Sequence, residues 1–550
     1  MTMICVPIMV EETNAALLDA SLAQAKGAEL VEFRVDLLFE DRDGESLEVR
    51  TARVLDLVKE SPLPCIVTCR PHWEGGEYHS DDDERISLYE ALGTSDHPPA
   101  YIDVELATYT RSANIRQKVN LAVDHPKQHR KVTTRLILSS HDFEGRPSDL
   151  TRKIIAMNDE PACAVVKIAY RARSIRDNLE LFEILRDRQK PTIALGMGEF
   201  GTMSRILAPK FGGLLTFATL RSESTTAPGQ PTIDELLNLY RFRSITATTK
   251  VYGIIGWPVT QSMSPLVHNA GFEAIGWDGV YVPMPVEGSY ESFKATMLAM
   301  IDHQELSFSG ASVTIPHKEH LFKLYSTEKS NGIWWADEAV ERCKVANTFD
   351  NPLVFDETEI HERLLFNTDS AAIHSLLGGI ETQFSGTSVS ISGAGGVARA
   401  AALTLCGLGA SIDLRFRSLE SAEKLKKDAE ILQGAIKLSP LTELPSKNSD
   451  TYINCTPVGM TGGPDPEGLS IPIPDMPPLP PETVFFDTVY NPIETPMLKA
   501  AKERGYRTID GVQMFVKQAE AQFELWTGQS APEGLFDDLV RKKLSVEASD

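Results

Sequence analysis

Residues 388–418 read SVSISGAGGVARAAALTLCGLGASIDLRFRS, an apolar strand followed by a glycine-rich turn, a helix and a second strand. The turn contains Gly393-x-Gly395-x-x-Ala398. Glycines at such positions let the backbone approach a pyrophosphate, which the N-terminus of the following helix then stabilises. The pattern alone is weak, but a strand before it and a helix after it are the context that a dinucleotide fingerprint requires. The stretch therefore predicts a Rossmann-like nucleotide domain. The predicted contacts are Gly393, Ala394, Gly395, Gly396 and Val397.

The end of the second strand decides which dinucleotide is expected. NAD-binding domains usually have an acidic residue about 20 residues beyond the glycines, where it binds the ribose 2′-hydroxyl. Here the strand ends in Arg415, Arg417 and Ser418, whereas Asp413 falls in mid-strand, so that its carboxylate should point away. Because arginine attracts a 2′-phosphate, the sequence predicts NADP(H) as the cofactor. A solvated surface charge is the alternative interpretation of Arg417.

The first 240 residues alternate short apolar runs with stretches of helical pattern. Eight β/α units in about 240 residues match a closed (β/α)8 barrel, whose chemistry lies at the C-terminal ends of its strands. Polar residues at those ends are therefore the candidates for a site. The eight runs with β character are ICVPIM, LVEFRVDL, CIVTCRP, YIDVEL, RLILSSHDF, CAVVKIAY, TIALGMG and LLTFATL.

Composition excludes several classes of partner. The formal net charge of −23 opposes binding to nucleic acid or to anionic lipid, so we expect small-molecule partners. The sequence has no apolar run of the ~18 residues that span a bilayer, and it begins MTMICVPIMVEET without a basic segment. We therefore expect a cytoplasmic protein, or a plastid protein if a transit peptide has been removed. The seven cysteines form no CxxC and no metal-ligand cluster, which predicts reduced core thiols and no metal site.

Lys167 lies in the apolar run CAVVKIAY, where a barrel strand would carry it inward. A lysine in such a run can simply pair with a buried carboxylate. Desolvation, however, favours the neutral amine, which attacks ketones to form a Schiff base. His141, at the end of RLILSSHDF, is the natural proton shuttle because imidazole titrates near neutral pH. The residues alone leave the structural and the catalytic interpretation open.

Further polar and basic groups lie near the ends of the predicted barrel strands. A guanidinium offers the bidentate geometry that a carboxylate substrate needs, although a surface ion pair is the ordinary role of an arginine. These groups are Glu32, Arg34, Arg70, Glu74, Arg205 and Gln230.

Residues 1–240 resemble type I 3-dehydroquinate dehydratase. The matching motifs are ExRxD at residues 32–36, TCRPHWEGG, SSHDF, VVKIA, LGMGEFGTMSR and TAPGQ. The resemblance implies an imine on Lys167 and a general acid/base, His141, that Glu74 orients. It further implies abstraction of a proton α to the iminium and then loss of the β-hydroxyl as water. The residues that it implies for the carboxylate and hydroxyls of the substrate are Glu32, Arg34, Arg70, Arg205, Thr226 and Gln230.

Residues 251–535 resemble shikimate dehydrogenase. The matching motifs are SMSPLVHN, VTIPHKE, VANTF, FNTDS, NCTPVGM, DTVYNP and GVQMFVKQA. A lysine near a carboxylate is ordinarily a salt bridge, but the resemblance implies that Lys318 donates a proton at the reacting hydroxyl with support from Asp369. The implied substrate-binding residues are Ser262, Ser264, Thr314, Asn347, Asn367, Tyr490 and Gln518. The implied cofactor-side residues are Arg415, Arg417, Ser418, Asn454, Thr456 and Gly459.

Three positions depart from the pattern that this family commonly shows. Gln261 replaces the histidine of HSxSP, Leu365 stands before FNTD where glycine is usual, and Phe416 replaces the asparagine of an NRT turn. Lys318 and Arg417 are retained, so the departures bear on cofactor affinity and loop geometry more than on the chemistry.

The motifs together predict an α/β chain with two activities. The first would dehydrate 3-dehydroquinate through a Schiff base, and the second would reduce the resulting 3-dehydroshikimate to shikimate with NADPH. RFRSITATTK, at 241–250, is polar and precedes a new apolar strand, which predicts a linker. The predicted segments are a barrel over 1–240, the linker over 241–250, a substrate-binding domain over 251–370 completed by 511–550, and a Rossmann-like domain over 371–510. The oligomeric state stays open.

Two alternatives remain at this stage. The C-terminal half could prefer quinate to shikimate, against which Ser264 and Thr314 argue because quinate-preferring relatives tend to alter these positions. The chain could instead be a non-catalytic sensor of quinate. A sensor should lack the nucleophile or the proton carriers, and the residues retained here are Lys167, His141, Lys318 and Asp369.

Overall fold

A computed structural model describes every residue except 41–43, 128–129, 222–228, 353–361, 379–383, 432, 444–448 and 548–550. The chain divides into two compact units, Met1–Thr249 and Lys250–Asp550. No described helix is long and apolar enough to cross a membrane. All seven cysteines are unpaired, and six of them are buried.

The first unit is a barrel of eight parallel strands that follow one another in sequence order, with β8 paired to β1. The strands are β1 Met3–Met9, β2 Leu30–Arg34, β3 Cys65–Thr68, β4 Tyr101–Glu105, β5 Arg135–Asp142, β6 Cys163–Arg171, β7 Thr192–Met197 and β8 Leu215–Phe217. On the other side of β8, the N–H of Leu214 donates to the carbonyl of Thr192 at the start of β7 (2.9 Å). Each predicted apolar run contains one strand, so the barrel prediction is confirmed.

Helices cover the outside of this barrel, so its strands are buried on both faces and read as continuous apolar runs. The helices are α1 Thr13–Lys26, α2 Asp36–Phe39, α3 Leu47–Glu60, α4 Asp82–Thr94, α5 Leu106–Arg111, α6 Ala113–Ala122, α7 Leu150–Asp159, α8 Asp177–Arg186 and α9 Thr202–Ile206. One interior cluster of the strands is apolar and includes Cys5, Ile66, Ile137 and Ile193. Charged side chains come later along the same strands, at their carboxyl ends.

The segment predicted as a linker is partly ordered structure. Phe242 and Ile245 are buried, and the ammonium group of Lys210 donates to the carbonyls of Ala247 and Thr249 (2.8 Å each). Strand β9 begins at Lys250. Two apolar residues among polar ones form no periodic pattern, so the burial of Phe242 and Ile245 could not be predicted from the sequence.

The second unit begins with a mixed six-stranded sheet in the order β10-β9-β11-β13-β14-β12. Its strands are β9 Lys250–Gly256, β10 Gly279–Pro285, β11 Phe308–Val313, β12 Trp334–Ala336, β13 Thr348–Asp350 and β14 Arg363–Phe366. The helices of the whole unit are α10 Ser264–Ile275, α11 Tyr290–Asp302, α12 Lys318–Glu328, α13 Glu338–Cys343, α14 Thr368–Gly378, α15 Gly396–Gly407, α16 Leu419–Ile431, α17 Pro496–Glu503, α18 Gly511–Thr527 and α19 Leu535–Glu547. The last two helices pack Phe523, Trp526 and Phe536 against Tyr252 and Phe272 of this sheet layer.

A second sheet of six parallel strands follows, in the order β17-β16-β15-β18-β19-β20. The strands are β15 Ser388–Ser392, β16 Ser411–Phe416, β17 Ala435–Pro440, β18 Thr451–Asn454, β19 Val484–Asp487 and β20 Arg507–Ile509. Counted from β15 this is the 3-2-1-4-5-6 order of a doubly wound dinucleotide fold. Small residues such as Ala398, Ala401 and Ala402 let α15 pack closely on the sheet. The Rossmann-like prediction is confirmed.

Candidate active sites

A cavity of about 100 Å³ opens at the carboxyl ends of the barrel strands. Its polar lining consists of Glu32, Arg34, Arg70, Glu74, His141, Lys167, Arg205 and Gln230. The sequence predicted all eight of these residues as site candidates. Thr226, the ninth, lies outside the described residues.

Lys167 projects from β6 between two carboxylates. Its Nζ donates to Oδ2 of Asp103 (2.8 Å) and to Oε1 of Glu32 (3.2 Å), and it lies 4.9 Å from the centroid of the Phe217 ring. The apolar run predicted a desolvated amine, whereas the structure surrounds Nζ with two carboxylates. Only a neutral amine attacks a carbonyl carbon, so a lysine ammonium must lose a proton first.

Asp103 is the residue of this site that the sequence analysis missed. Its carboxylate accepts from Lys167, from Nη2 of Arg70 (2.9 Å) and from the hydroxyl of Ser139 (2.5 Å). Although burial opposes ionisation, Arg70 and Lys167 hold the pKa of Asp103 below its ordinary value. An unexplained acid inside the run YIDVEL was the available signal, because acids are rarely fully buried unless they are paired.

His141 is held from one side by Glu74. The imidazole Nδ1 lies 2.9 Å from Oε2 of Glu74, and the backbone N–H of His141 donates to the same oxygen (3.2 Å). Burial, and then the charges of Arg70 and Lys167, lower the pKa of His141 well below its usual value. Burial raises the pKa of Glu74 to about 8. His141 is thus a neutral imidazole, and because Nδ1 is engaged, it can reach a ligand through Nε2.

The three cavity arginines have different surroundings. Arg34 forms a bidentate pair with Asp36 (2.7 and 3.1 Å), and Arg70 pairs with Asp103 and Glu105. Arg205 is 3% exposed, its Nε has no hydrogen-bond partner among the described residues, and burial lowers its pKa to about 10. An unneutralised guanidinium in a cavity is a binding point for an anionic group.

A second cavity, of about 170 Å³, lies in the second unit. The predicted residues that line it are Ser262, Ser264, Thr314, Lys318, Asn347, Asp369, Tyr490 and Gln518. Lining residues that the sequence analysis did not select include Ser312, Thr488 and Gln522.

Asn367 is a predicted substrate ligand for which the geometry gives another role. Its Oδ1 accepts from the N–H of Ser370 (3.0 Å), and its Nδ2 donates to the carbonyl of Val345 (3.1 Å). Both ends of the amide are bonded to main chain, and the first of these bonds caps helix α14. The structure therefore does not support a substrate contact for Asn367.

Lys318 and Asp369 form the charged pair of this second cavity. Each begins or nearly begins a helix, α12 and α14, and Nζ of Lys318 donates to Oδ2 of Asp369. The two side chains are 12% and 7% exposed. A Cβ placed on Gly396, at the start of α15, would lie 3.4 Å from Cδ of Lys318. The pair thus lies beside the glycine-rich turn.

The glycine-rich turn has room for a pyrophosphate. Gly393 has φ +113°, and a Cβ there would meet the carbonyl oxygen of Cys455 at 2.8 Å, so a side chain is excluded. A Cβ on Gly395 would meet nothing within 4 Å, which leaves the backbone open to a ligand at the N-terminus of α15. These observations fit the predicted dinucleotide.

The loop predicted on the cofactor side is organised by Asn454. Its Nδ2 donates to Oδ1 of Asp487 (2.9 Å) and to the carbonyl of Val458 (3.2 Å), while its Oδ1 accepts from the N–H and hydroxyl of Thr456. Gly459, with φ +85°, continues the turn. Asn454 is fully buried, so it stabilises this loop through hydrogen bonds within the protein.

The arginines after β16 are not equivalent. Arg415 is 1% exposed, and its Nη2 donates to the carbonyls of Leu441 and Glu443. Nε and Nη1 of Arg415 have no hydrogen-bond partner among the described residues, and its role as a cofactor ligand stays a prediction. Arg417 and Ser418 are exposed. Asp413 accepts from the hydroxyl of Ser439 (2.7 Å) on β17.

Comparison with known proteins identifies the family. The family models that match are type I 3-dehydroquinase over residues 4–247, shikimate dehydrogenase substrate binding domain over 254–332, and shikimate 5′-dehydrogenase C-terminal domain over 511–541. A chloroplastic bifunctional 3-dehydroquinate dehydratase/shikimate dehydrogenase of Arabidopsis thaliana is 35% identical over 98% of this chain and 84% of its own length. This chain belongs to that bifunctional family.

Two further relatives match the second unit. Shikimate dehydrogenase (NADP(+)) of Carboxydothermus hydrogenoformans is 33% identical over 52% of this chain and 95% of its own length. A crystal structure of shikimate dehydrogenase in complex with NADP+ is 30% identical, covers 55% of this chain and 97% of that chain, and has a TM-score of 0.47. By its family models and its curated relatives, the protein is a shikimate-pathway enzyme with a lyase activity and an NADP-dependent oxidoreductase activity. The predicted activities and cofactor are confirmed.

The two buried arginines of the barrel lead to opposite stability predictions. Arg70→Met should lower the free energy of unfolding of the barrel by about 3–5 kcal/mol, because it leaves the carboxylates of Asp103 and Glu105 without this partner. Arg205→Met should raise it by roughly 1–3 kcal/mol, because it removes a desolvated charge. Hydrogen exchange of peptides from β4 and β6, measured on the full chain in a denaturant series, resolves the barrel. Destabilisation by both variants would contradict the assignment of Arg205 as unneutralised.

Proposed function

We propose that the barrel cavity dehydrates 3-dehydroquinate through a Schiff base on Lys167. The observation that carries this proposal is the placement of Nζ of Lys167 in a cavity that is also lined by a neutral imidazole, His141. His141 first takes a proton from Lys167, and the neutral amine attacks the ketone carbon. The carbonyl oxygen then takes one proton from the nitrogen and one from His141 and leaves as water, which gives a protonated imine and a neutral imidazole. Glu32 and Asp103 stabilise the cation before and after this step.

His141 then carries the protons. Its neutral form accepts the proton α to the iminium, whose positive charge withdraws the electron pair. The imidazolium returns this proton to the β-hydroxyl, which leaves as water. Hydrolysis of the imine frees the product and restores Lys167. Glu74 fixes the ring through Nδ1, so that one nitrogen serves both transfers.

Arg205 is the residue best suited to the carboxylate of this substrate. It is the cavity arginine for which no carboxylate partner is found among the described residues, and a bidentate pair with a substrate carboxylate would neutralise it. Gln230, Arg34 and Thr226 complete the proposed set for the carboxylate and hydroxyls.

In the second cavity we assign proton donation to Lys318. NADPH would supply the hydride when bound. Lys318 would give a proton to the carbonyl oxygen of 3-dehydroshikimate, and Asp369 accepts a hydrogen bond from Lys318 that holds it in place. Ser262, Ser264, Asn347, Tyr490 and Gln518 line the cavity and would bind the carboxylate and hydroxyls. The turn from Gly393 to Val397, with Arg417 and Ser418, would hold the cofactor. The cytoplasm, or a plastid, remains the expected compartment.

Lys167→Ala and Lys318→Ala test both assignments in one chain. Lys167→Ala should abolish dehydration and leave shikimate oxidation intact, and Lys318→Ala should lower shikimate oxidation about 10²–10⁴-fold while dehydration stays within twofold. Each variant is the folding control of the other. The two assays are enone absorbance from 3-dehydroquinate and nicotinamide absorbance from shikimate with NADP+. Loss of both activities in either variant would contradict separate sites.

Borohydride identifies the nucleophile directly. Reduction in the presence of 3-dehydroquinate should attach the ligand covalently to Lys167, since only an imine is trapped in this way. Peptide mass spectrometry locates the adduct. His141→Asn serves as the matched variant. Because it also removes an acceptor for the proton of Lys167, the adduct should form more slowly but still on Lys167, while turnover is lost. An adduct on another lysine would disprove the assignment.

The preference for NADPH should depend on Arg417 and not on Arg415. Arg417→Ala should lower the ratio of kcat/KM for NADPH to that for NADH tenfold to hundredfold, because a charge-assisted bond to the 2′-phosphate is lost. Arg415→Met is the matched control, because it removes a buried guanidinium bonded to main chain. It should change stability and leave the ratio within about twofold. The reverse pattern would show that Arg415 is the phosphate ligand.

A further inference from the structure

Gln522 is a fully buried polar residue on α18, beside the shikimate cavity. Its Oε1 accepts from the hydroxyl of Ser312 (2.7 Å), and its Nε2 donates to the hydroxyl of Thr348 (2.9 Å) and towards the carbonyl of Asn347 (3.4 Å). It also lies by an aromatic cluster that includes Phe523 and Trp526. A side-chain amide in such surroundings is costly unless its hydrogen bonds are made, so this one calls for an explanation.

The hydrogen bonds of Gln522 fix the direction of a longer chain. The carbonyl of Asn347 can only accept, so Nε2 must be the end of the amide that faces it. Thr348 receives a proton from Nε2, so its own proton goes to Oδ1 of Asn347 (3.0 Å) or to the hydroxyl of Thr368 (3.2 Å), which itself lies 3.1 Å from the same Oδ1. At the other end, Ser312 gives its proton to Oε1 and receives one from the hydroxyl of Tyr281 (2.7 Å).

Asn347 is the last member of this chain, and its orientation follows. Its Oδ1 accepts from the N–H of Thr368 (2.8 Å), which can only donate, and from the hydroxyl of Thr348 or of Thr368. The oxygen of this amide is thus bound within the protein on two sides. Nδ2 lies 3.0 Å from the hydroxyl of Thr368 and retains a second proton.

We propose that Gln522 is a positioning residue that fixes the amide of Asn347, so that the shikimate cavity presents an N–H donor at this point. The matching ligand group is an acceptor, a substrate hydroxyl or carbonyl oxygen. Gln522 acts through Asn347 and makes its own hydrogen bonds to protein atoms. The inference rests on the proposed shikimate site.

A double-mutant cycle tests whether Gln522 acts through Asn347. Gln522→Met keeps the side-chain length and removes its hydrogen bonds, so the KM for shikimate should rise about tenfold while the KM for NADP+ and the dehydratase rate stay within twofold. In the Asn347→Ala background the same substitution should change the KM for shikimate less than twofold. Thr527→Val is the matched control, because it removes a buried hydroxyl of the same helix that donates to the carbonyl of Phe523 (2.7 Å). It should leave both KM values unchanged.

Gln522→Glu gives a second readout, the pH dependence of the KM for shikimate, which would not change if Gln522 had only a structural role. A protonated carboxyl reproduces the acceptor and one of the two donors of the amide, whereas the ionised group loses both donors. The ratio of the KM for shikimate in Gln522→Glu to that in wild type should therefore be closest to 1 at low pH. It should rise as the introduced carboxyl group ionises, and burial should raise the pKa of that group above the ordinary value of a glutamate. The titratable groups next to it are His268, whose pKa burial lowers to about 3, and Tyr281, whose pKa burial raises. The charged pair of the cavity is Lys318 with Asp369.

Two results would overturn the proposal. One is a loss in Gln522→Met that persists undiminished in the Asn347→Ala background, and the other is a KM ratio for Gln522→Glu that does not change with pH. Failure of the proposed function looks different, because wild-type protein would then fail to oxidise shikimate at all.

Discussion

A charge removed from water must be neutralised, and this constraint organises the carboxyl end of the barrel. Asp103 neutralises two cations at once, because its carboxylate forms salt bridges with both Lys167 and Arg70. Glu105 continues the pattern by accepting from Arg70 and from Arg85 (2.7 and 3.0 Å). The reacting lysine is therefore held by a network that spans β3, β4 and β6. Arg205 stands outside this network, and the charge of a substrate carboxylate is what would complete it.

In the second unit, buried neutral polar groups must likewise make hydrogen bonds. Ser312, Gln522 and Thr348 are buried, and each satisfies the next through a hydrogen bond with a defined direction. Such a chain has few alternative arrangements, because every hydroxyl has one proton to give. The chain ends at Asn347, whose side chain lines the cavity. Rigid presentation of donors is what a site needs in order to distinguish one hydroxyl pattern from another.

The sequence was sufficient for the fold because the elements are local and strongly patterned. Buried parallel strands read as apolar runs, and the first glycine of the Rossmann turn is required by the positive φ of Gly393. Phe242 and Ile245 were missed because two isolated apolar residues have no period. The polar character of that segment therefore hid its packing on the barrel.

The site was predictable at the level of motifs and less so at the level of single side chains. Asp103 gains its role from Ser139 on β5, Lys167 on β6 and Arg70 in the segment after β3, and no local pattern encodes that meeting. Conversely, a motif does not show which of two nearby residues lines the site and which is hydrogen-bonded within the protein. Asn367 caps helix α14 two residues before Asp369, and Arg415 is bonded to main chain within β16, two residues before the exposed Arg417.

The two reacting lysines show how surroundings divide one chemical group between two roles. Lys167 has a neutral imidazole in its cavity that can take a proton away, and an aromatic ring over its Nζ that excludes water. Lys318 has the carboxylate of Asp369, and none of the described residues that line its cavity is a histidine. An amine becomes a nucleophile only if something accepts its proton, whereas a proton donor must keep its proton until the substrate takes it. The neighbours of each lysine thus assign imine formation to the barrel and proton donation to the dehydrogenase.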